Sequence, residues 1–386
     1  MRAFGTFATL TLVAALGITA LPAQAVDTKA RAALVMDHNT QTVLLAKNAD
    51  MSIPPASMSK LMTLALVFEA LQDGRLLLTD KFRVSEKAWK MGGSKMFLKA
   101  GEEVSIEDLI RGVIVQSGND ACVVLAEGLA GSEVEFADRM TRKARDLGMD
   151  KSTFANSTGW PHPDHRMSAH DLVSLATYLI NQFPEYYPYF SERTFTWDGI
   201  VQDNRNPLLA LDLGADGLKT GHTEEAGYGL VGSALRDGRR VTFMLTGLSS
   251  NSDRLIESEQ IANWAFREFY TRTMFEADQP ISTAAVWLGE TPEVQLVAVD
   301  DVTVIVPYED RAKLKMHVSY DGPVEAPIKA GQQIAELVIS IPQLDDKRIP
   351  LVAANDVAAG GFVKRLGASA KILSQRLIAT AGDLIN

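Results

Sequence analysis

Cysteine is almost absent from this 386-residue chain, in which Cys122 is the only one. One thiol excludes an intramolecular disulfide and any metal site built from several thiolates. Basic residues are also in the minority, because 38 lysines and arginines stand against 48 aspartates and glutamates and leave a net charge of −10. A nucleic-acid-binding protein needs a basic surface to meet phosphates, so this balance argues against a nucleic-acid partner.

The rest of the composition is ordinary for a globular protein, with 46% hydrophobic and 22% charged residues. These values exclude a largely disordered chain, a collagen-like chain and a multi-span membrane protein. Internal repeats and low-complexity segments are lacking as well. At about 150 residues per domain, the length predicts two or three domains.

Residues 1–25 have the pattern of a secretory signal peptide. Arg2 is the only charged residue before Asp27, an apolar run covers residues 4–21, and the Ala-Gln-Ala sequence that ends at Ala25 fits a small-x-small cleavage site. We predict cleavage after Ala25; the alternative is a buried or membrane-spanning helix. An exported protein with one thiol and no disulfide indicates the bacterial cell envelope.

The order of the predicted elements indicates an α+β domain over residues 26–275. Two short strands are predicted within residues 31–48, and the apolar spacing of residues 105–182 is mostly helical. Strand patterns return over residues 216–248, and a long amphipathic helix is predicted over residues 253–274. We therefore predict an antiparallel sheet, built from distant parts of the chain, with a helical subdomain.

A second domain and a tail are predicted to follow. After a linker at residues 276–280, strand patterns predict a small all-β sandwich over residues 276–356. In the tail, residues 357–386, the apolar residues after Gly361 recur at helical spacing, and four cations stand against Asp383. Such a basic amphipathic helix lies in a membrane surface and is too short and too charged to span a bilayer. The alternative is a helix packed on the β domain.

Three short elements carry the predicted chemistry, namely Ser57-x-x-Lys60, Ser117-Gly-Asn119 and Lys219-Thr220-Gly221. Patterns such as S-x-N and K-x-G also occur elsewhere in the chain, which indicates how readily they arise by chance. By contrast, S-x-x-K and K-T-G each occur once. The ordered triple is therefore much more specific than any one of its members.

Ser57 and Lys60 are predicted to act as nucleophile and base. A helix that starts after Pro55 places both side chains on one face, so the amine can reach the hydroxyl. A lysine can accept the serine proton only when burial or a neighbouring cation, such as Lys219, lowers its pKa. At the helix start the free N–H of Ser57 suits an oxyanion hole. For these two residues alone, the alternative is a helix cap and a solvated lysine.

Ser117 and Asn119 are predicted to lie on a loop tip that projects from helices into a cleft. There Ser117 can relay a proton to a leaving group, and the amide of Asn119 can hold a substrate peptide group. Lys219 and Thr220 lie on a predicted strand and suit an anionic carboxylate, whereas Gly221 lets another backbone come close. The edge of that strand offers hydrogen bonds to an extended peptide.

This ordered triple resembles the active-site signature of penicillin-binding proteins and serine β-lactamases. The Ser-Gly-Asn form and residues 195–200, 204–209 and 216–223 are similar to the D-alanyl-D-alanine carboxypeptidases among the low-molecular-mass penicillin-binding proteins. The similarity covers about residues 26–275, and the β domain and tail match that family's plan. The resemblance implies a penicillin-binding, transpeptidase-like fold and a serine peptidase without metal or cofactor. It further implies a periplasmic enzyme attached to the outer face of the bacterial inner membrane.

The resemblance also implies the substrate and the catalytic roles. The substrate would be a peptidoglycan stem peptide ending in D-Ala-D-Ala, and β-lactams would acylate the same serine. Ser57 would form the acyl-enzyme, Lys60 would be its base, and Ser117 and Asn119 would flank the cleft.

The remaining predicted site residues would bind the substrate. Lys219 and Thr220 would contact its terminal carboxylate, with Arg205 near it and Gly221 beside them on the strand. The backbone N–H of His222 would pair with that of Ser57 as the oxyanion hole.

Three other functions stay open, a DD-endopeptidase, a serine β-lactamase and a non-catalytic wall-binding protein. A class A β-lactamase carries a glutamate in an E-x-x-L-N segment, and this chain contains no Leu-Asn pair. The intact motifs argue against a non-catalytic binder.

Two further features have a structural and a functional interpretation. His162, His165 and His170 beside Asp164 suggest a metal site, but prolines disrupt the geometry, and we predict a surface loop instead. Cys122 lies in an apolar helix and is predicted to be a buried structural thiol.

Overall fold

The structure is a computed structural model that describes residues 26–310 and 312–361. The predicted signal peptide, and the predicted tail helix from residue 362 onward, lie outside the described residues. In the part that is described, no helix is both long enough and apolar enough to cross a bilayer.

The larger unit combines strands and helices in the predicted order. Its strands are β1 (Ala32–Asp37), β2 (Thr42–Lys47), β3 (Lys81–Arg83), β4 (Glu103–Ser105), β5 (Thr194–Trp197), β6 (Ile200–Asp203), β7 (Ala215–Thr223), β8 (Gly227–Arg236) and β9 (Arg239–Leu248). Its helices are α1 (Lys60–Gln72), α2 (Glu86–Lys90), α3 (Ile106–Ile114), α4 (Asn119–Ala130), α5 (Glu133–Asp146), α6 (Ala169–Gln182) and α7 (Asn251–Glu268).

Five strands form the central sheet, in the order β2-β1-β9-β8-β7 with every neighbouring pair antiparallel. The start of the chain therefore pairs with strands that come about two hundred residues later, as predicted from the element order. One apolar core packs this sheet against α1 and the other helices of the subdomain, and a second core packs it against α7. Among the described residues β7 pairs with β8 alone, so its other edge is available to a ligand.

Local signals explain where these elements begin and turn. The side chains of Ser105, Ser132 and Ser250 each accept a hydrogen bond from the backbone N–H three residues on, which caps α3, α5 and α7. Between β8 and β9, Asp237 and Gly238 both have positive φ angles of 50° and 78°, as a two-residue hairpin turn requires.

The prediction for the last helix of this unit was wrong at its C-terminal end. Helix α7 ends at Glu268, and the next residues form strand β10 (Phe269–Phe275) instead of continuing the helix to residue 274. Their aromatic and β-branched side chains favour a strand, and β10 pairs with a later strand over its whole length. The apolar spacing of α7 continues into Phe269, so periodicity alone could not place the boundary.

The smaller unit is all β, as predicted. After β10 it contains β11 (Pro280–Trp287), β12 (Glu293–Val297), β13 (Val302–Pro307), β14 (Lys315–Ser319), β15 (Val324–Glu325), β16 (Gln333–Ser340) and β17 (Lys347–Ala353). Six of these form a sheet in the order β14-β16-β17-β12-β11-β15, and β10 pairs with β13. Their alternating apolar side chains enclose a core of their own. The exact division of the chain at residue 275 stays a prediction.

Candidate active site

Ser57 and Lys60 lie where the chain enters α1. A 3-10 turn (Ala56–Ser59) precedes the helix, and the half-buried Ser57 lies on this turn. The sequence predicts a helix that starts close to Ser57, and α1 begins three residues after it. Lys60 is the first residue of α1 and is fully buried. Its Nζ lies 2.7 Å from the Oγ of Ser57. The amine and the hydroxyl therefore meet as the spacing predicts.

Lys60 has two further partners that come from distant segments. Its Nζ donates to the Oδ1 of Asn119 at 2.8 Å and to the backbone carbonyl of Thr158 at 2.6 Å. Burial lowers the pKa of Lys60 to about 8, with the positive charge of Arg205 acting in the same direction. The lysine is thus held by three acceptors in a place that disfavours its charged form.

The Ser117-Gly-Asn119 element connects α3 to α4, as predicted for a loop tip between helices. Ser117 is buried and has a positive φ of 61°, a strained conformation for a residue with a side chain. Asn119 joins Lys60 to a neighbouring loop, because its Oδ1 accepts from Lys60 while its Nδ2 donates to the carbonyl of Gly92 at 2.8 Å. This element and the loop near Gly92 therefore form one wall.

Strand β7 brings Lys219, Thr220 and Gly221 to the opposite wall. A Cβ on Gly221 would lie 3.0 Å from the Pro55 carbonyl oxygen, so a glycine lets the strand pass close to the Ser57 turn without displacing that backbone. Lys219 is fully buried, and burial lowers its pKa well below the usual range, with Lys60 lowering it further. Its hydrogen bond to the neighbouring carbonyl of Thr220 is long, at 3.3 Å.

The two walls enclose a cleft of about 720 Å³. Six predicted residues line it, namely Ser57, Ser117, Arg205, Thr220, Gly221 and His222. The other three, Lys60, Asn119 and Lys219, lie buried behind that surface. All nine predicted residues are therefore brought to one site.

Some residues at this site were missed by the sequence analysis. Arg254 lines the cleft from α7, is 8% exposed, and has an Nε for which the described part of the chain supplies no hydrogen-bond partner. Tyr228 also lines it and packs against the imidazole of His222, with ring centroids 3.9 Å apart. Arg254 carries no local signal beyond its place one turn after the cap of α7, since only the packing of α7 on β8 and β9 brings it to the cleft.

Asp120 is another residue that was missed. Its carboxylate accepts hydrogen bonds from the backbone N–H groups of Met96, Phe97 and Leu98 at 2.8–3.2 Å. It thereby fixes the loop whose neighbouring carbonyl Asn119 contacts. A carboxylate directly after Ser-Gly-Asn is the signal that could have found it.

The histidine loop gives no sign of a metal site. Among the described residues, no group of three or more His, Cys, Asp or Glu side chains converges on one point. His165 is buried and its Nδ1 accepts from the N–H of Ala155, whereas His162 and His170 are exposed. The thiol of Cys122 is buried, and its burial raises its pKa to about 12.

Comparison with known protein families decides what this site belongs to. A family model described as D-alanyl-D-alanine carboxypeptidase matches residues 19–249. The chain belongs to the D-alanyl-D-alanine carboxypeptidase family. A second model, described as the C-terminal domain of penicillin-binding protein 5, matches residues 269–359. The predicted family, its serine-peptidase class and the predicted fold class are confirmed.

Two relatives match most of this chain, and a third matches 63% of it. The D-alanyl-D-alanine carboxypeptidase DacC of Escherichia coli K12 is 37% identical over 351 residues, which cover 89% of this chain and 88% of that protein. Penicillin-binding protein 5 from Haemophilus influenzae has a similar structure, with a TM-score of 0.79 at 34% identity over 87% of this chain and 99% of its own. Penicillin-binding protein D2 from Listeria monocytogenes, 31% identical over 63% of this chain and 99% of its own with a TM-score of 0.58, has been solved with ampicillin bound.

Proposed function

We propose that this carboxypeptidase releases the terminal D-alanine from peptidoglycan stem peptides ending in D-Ala-D-Ala, with Ser57 as the nucleophile. The observation that carries the proposal is the contact of the buried Lys60 amine with the Ser57 hydroxyl at 2.7 Å. Family membership supports the reaction, and this contact supports the assignment of the residues.

The hydrogen bonds of Lys60 supply a reason for its role as base. The oxygens of Asn119 and Thr158 that it contacts can only accept hydrogen bonds. When the amine is neutral, its two hydrogens stay with those oxygens, and its lone pair points to the hydroxyl of Ser57. Burial favours this neutral form, because it lowers the pKa of Lys60 to about 8.

The proposed reaction then takes two steps. Lys60 removes the proton of Ser57, whose Oγ attacks the penultimate D-alanine carbonyl, and the N–H groups of Ser57 and His222 hold the developing oxyanion. The C–N bond breaks, and the leaving D-alanine takes a proton relayed through Ser117. Water then attacks the ester and releases the shortened peptide. A β-lactam acylates the same oxygen.

We assign the substrate's free carboxylate to the strand wall, the side of the cleft where β7 carries Lys219, Thr220 and Gly221. Arg205 and Arg254 line the cleft with Thr220, whose hydroxyl can donate to a carboxylate oxygen, and Lys219 lies buried behind it, where an incoming carboxylate favours its charged form. Because this site is positively charged, it favours cleavage next to a free carboxyl terminus and disfavours cleavage of an internal peptide bond.

Release of D-alanine by residues 26–386 tests this proposal. We expect release from a D-Ala-D-Ala peptide and covalent labelling by a fluorescent penicillin, both lost in Ser57→Ala. Ser59→Ala is the matched control, because Ser59 lies on the same turn but donates to the Ala56 carbonyl. Labelling that survives Ser57→Ala contradicts the assignment. Cleavage of cross-linked peptide without D-alanine release favours an endopeptidase, and rapid penicillin hydrolysis favours a β-lactamase.

We propose further that the enzyme is periplasmic and attached to the inner membrane by its tail. The signal-peptide pattern of residues 1–25 and the basic amphipathic pattern after Gly361 support this location. Deletion of residues 361–386 is expected to release the protein from sedimented membranes and to leave its activity on soluble peptide unchanged. Sedimentation that persists after the deletion would refute the anchor.

A further inference from the structure

Strand β7 has an irregularity just before its Lys-Thr-Gly element. Ala215 pairs with Ala234, but Gly217 pairs with Ser233, so β7 advances two residues while β8 advances one. Asp216 is the additional residue of this bulge. Because side chains alternate along a strand, the position of the bulge decides which face each later side chain occupies.

The side chain of Asp216 is held by two other elements. Its Oδ1 accepts from the hydroxyl of Tyr187 at 2.9 Å and from Arg240 Nη1 at 2.8 Å, and its Oδ2 lies 2.7 Å from Arg240 Nη2. Arg240 lies on β9, and its Nη1 also donates to the hydroxyl of Ser233 on β8. One guanidinium thus joins three adjacent strands at the bulge. We call the set of Asp216, Tyr187, Arg240 and Ser233 the Asp216 clamp.

The residue after Asp216 is fixed as well. A Cβ on Gly217 would lie 2.7 Å from the Tyr187 hydroxyl oxygen, so only a glycine lets the clamp close. The Gly217 carbonyl accepts from Asn206 Nδ2 at 2.8 Å, and Asn206 directly follows Arg205 of the cleft. The Asp216 side chain and the Gly217 carbonyl are therefore both hydrogen-bonded to neighbouring elements, two to three residues before Lys219.

We propose that the Asp216 clamp is a positioning device that fixes the register of β7 and thereby directs Thr220 to the substrate. The inference rests on the proposed function, because it requires that the strand wall binds the substrate carboxylate. An edge strand bonded to one neighbour can slip, and a slip by one residue would turn Thr220 away from the cleft. The clamp prevents that slip without touching the substrate itself.

The neighbouring residue on β9 provides a matched control. Arg239 Nε lies 2.7 Å from the Oδ2 of Asp37, and this pair is also shielded, with side-chain exposures of 10% and 0% against 13% and 26% for Arg240 and Asp216. It joins β9 to β1, and Arg239 Nη1 donates to the Phe269 carbonyl. Both pairs therefore stabilise the same sheet, but only the Asp216 pair involves β7.

The experiment compares Arg240→Gln, Asp216→Asn and their double variant with Arg239→Gln and Asp37→Asn in residues 26–386. We expect kcat/KM for D-alanine release to fall by about tenfold to a hundredfold in the Asp216 pair, mainly through KM, since a misplacement of about 1 Å has this order of effect. The double variant should be no worse than either single one, because both remove the same interaction. The control pair should lower Tm at least as much, with kcat/KM changed by less than about twofold.

Equal losses of kcat/KM in both pairs, or an unchanged KM in the Asp216 pair, would overturn the inference. If Arg240→Gln does not fold, Tyr187→Phe removes one hydrogen bond of the clamp and should still raise KM by about threefold to tenfold; an unchanged KM there overturns the inference too. A wild-type enzyme without Ser57-dependent release would instead contradict the proposed function, so the two failures are distinguishable.

Discussion

The two walls of the cleft differ in how their polar groups are satisfied. The wall formed by the Ser57 turn, the start of α1 and the Ser117-Gly-Asn119 loop is here called the helical wall. In it Lys60 has three acceptors, among them Ser57 and Asn119, all within 2.8 Å. On the strand wall, Lys219 has one long hydrogen bond and Arg254 has an Nε without a partner. Within residues 26–310 and 312–361, neither of these two cations forms an ion pair with a carboxylate.

This contrast indicates that one wall carries out the chemical step and the other binds the substrate. The three hydrogen bonds of Lys60 are made without substrate, so the base and the Ser57 hydroxyl are positioned for the chemical step. The strand wall concentrates positive charge, and an incoming carboxylate supplies the counter-charge that it lacks. Substitutions in the helical wall should therefore reduce the rate of acylation, whereas those in the strand wall should weaken binding.

Replacing Lys60 should have the largest effect. Lys60→Met keeps the length of the side chain but removes the base, and we expect acylation by penicillin and D-alanine release to fall by about a thousandfold or more. Stopped-flow labelling measures the first rate. Lys143→Met, which removes a lysine of α5 that pairs with Glu69 outside the cleft, is the control and should keep its rate. Fast acylation of Lys60→Met would assign the base elsewhere.

The pH dependence of acylation tests the same wall without a substitution. Burial disfavours the ammonium form and lowers the pKa of Lys60 to about 8, so the neutral, basic fraction falls about tenfold for each pH unit below that value. The acylation rate should therefore rise by about fiftyfold between about pH 6 and 8 and become constant above about pH 9. A flat profile over this range would contradict a lysine base.

Arg254→Gln tests the strand wall and should have a smaller effect of a different kind. Loss of one cation at the carboxylate is expected to raise KM about tenfold and to leave kcat nearly unchanged. Arg236→Gln is a matched control, because Arg236 donates to Asn263 outside the cleft. A fall in kcat without a change in KM would mean that the two walls do not divide binding from chemistry.

Local chemistry explains which parts of this site were predictable. Ser57 and Lys60 are three residues apart on one turn, and Asp237 with Gly238 forms a hairpin by its own backbone preference, so neighbouring residues suffice to predict both. The third acceptor of Lys60 is a backbone carbonyl at Thr158, which no side-chain pattern marks. Long-range packing alone places it there.

The same reasoning explains the errors. Arg254 looks like any helix-surface arginine in sequence and becomes part of the cleft only because α7 packs on β8 and β9, beside the edge strand β7. The end of α7 was predicted too late, since the pairing of β10 with β13 outweighs the helical spacing of its apolar residues. Both features depend on contacts between segments far apart in the chain.

Lys347→Met should have the smallest effect on activity, because it lies outside both walls of the cleft. Lys347 lies on β17 and donates to the carbonyls of Thr40, beside the β1–β2 turn, and Thr303, on β13, so it ties the two units together. All lining residues of the cleft lie between Ser57 and Arg254, outside the β domain. Loss of this tie should lower Tm by about 2–4 °C and leave kcat/KM within about twofold. Lys329→Met is the control: it removes an exposed ion pair of the same domain and should change neither Tm nor kcat/KM. A lower kcat/KM in Lys347→Met alone would mean that the β domain helps to set the geometry of the walls.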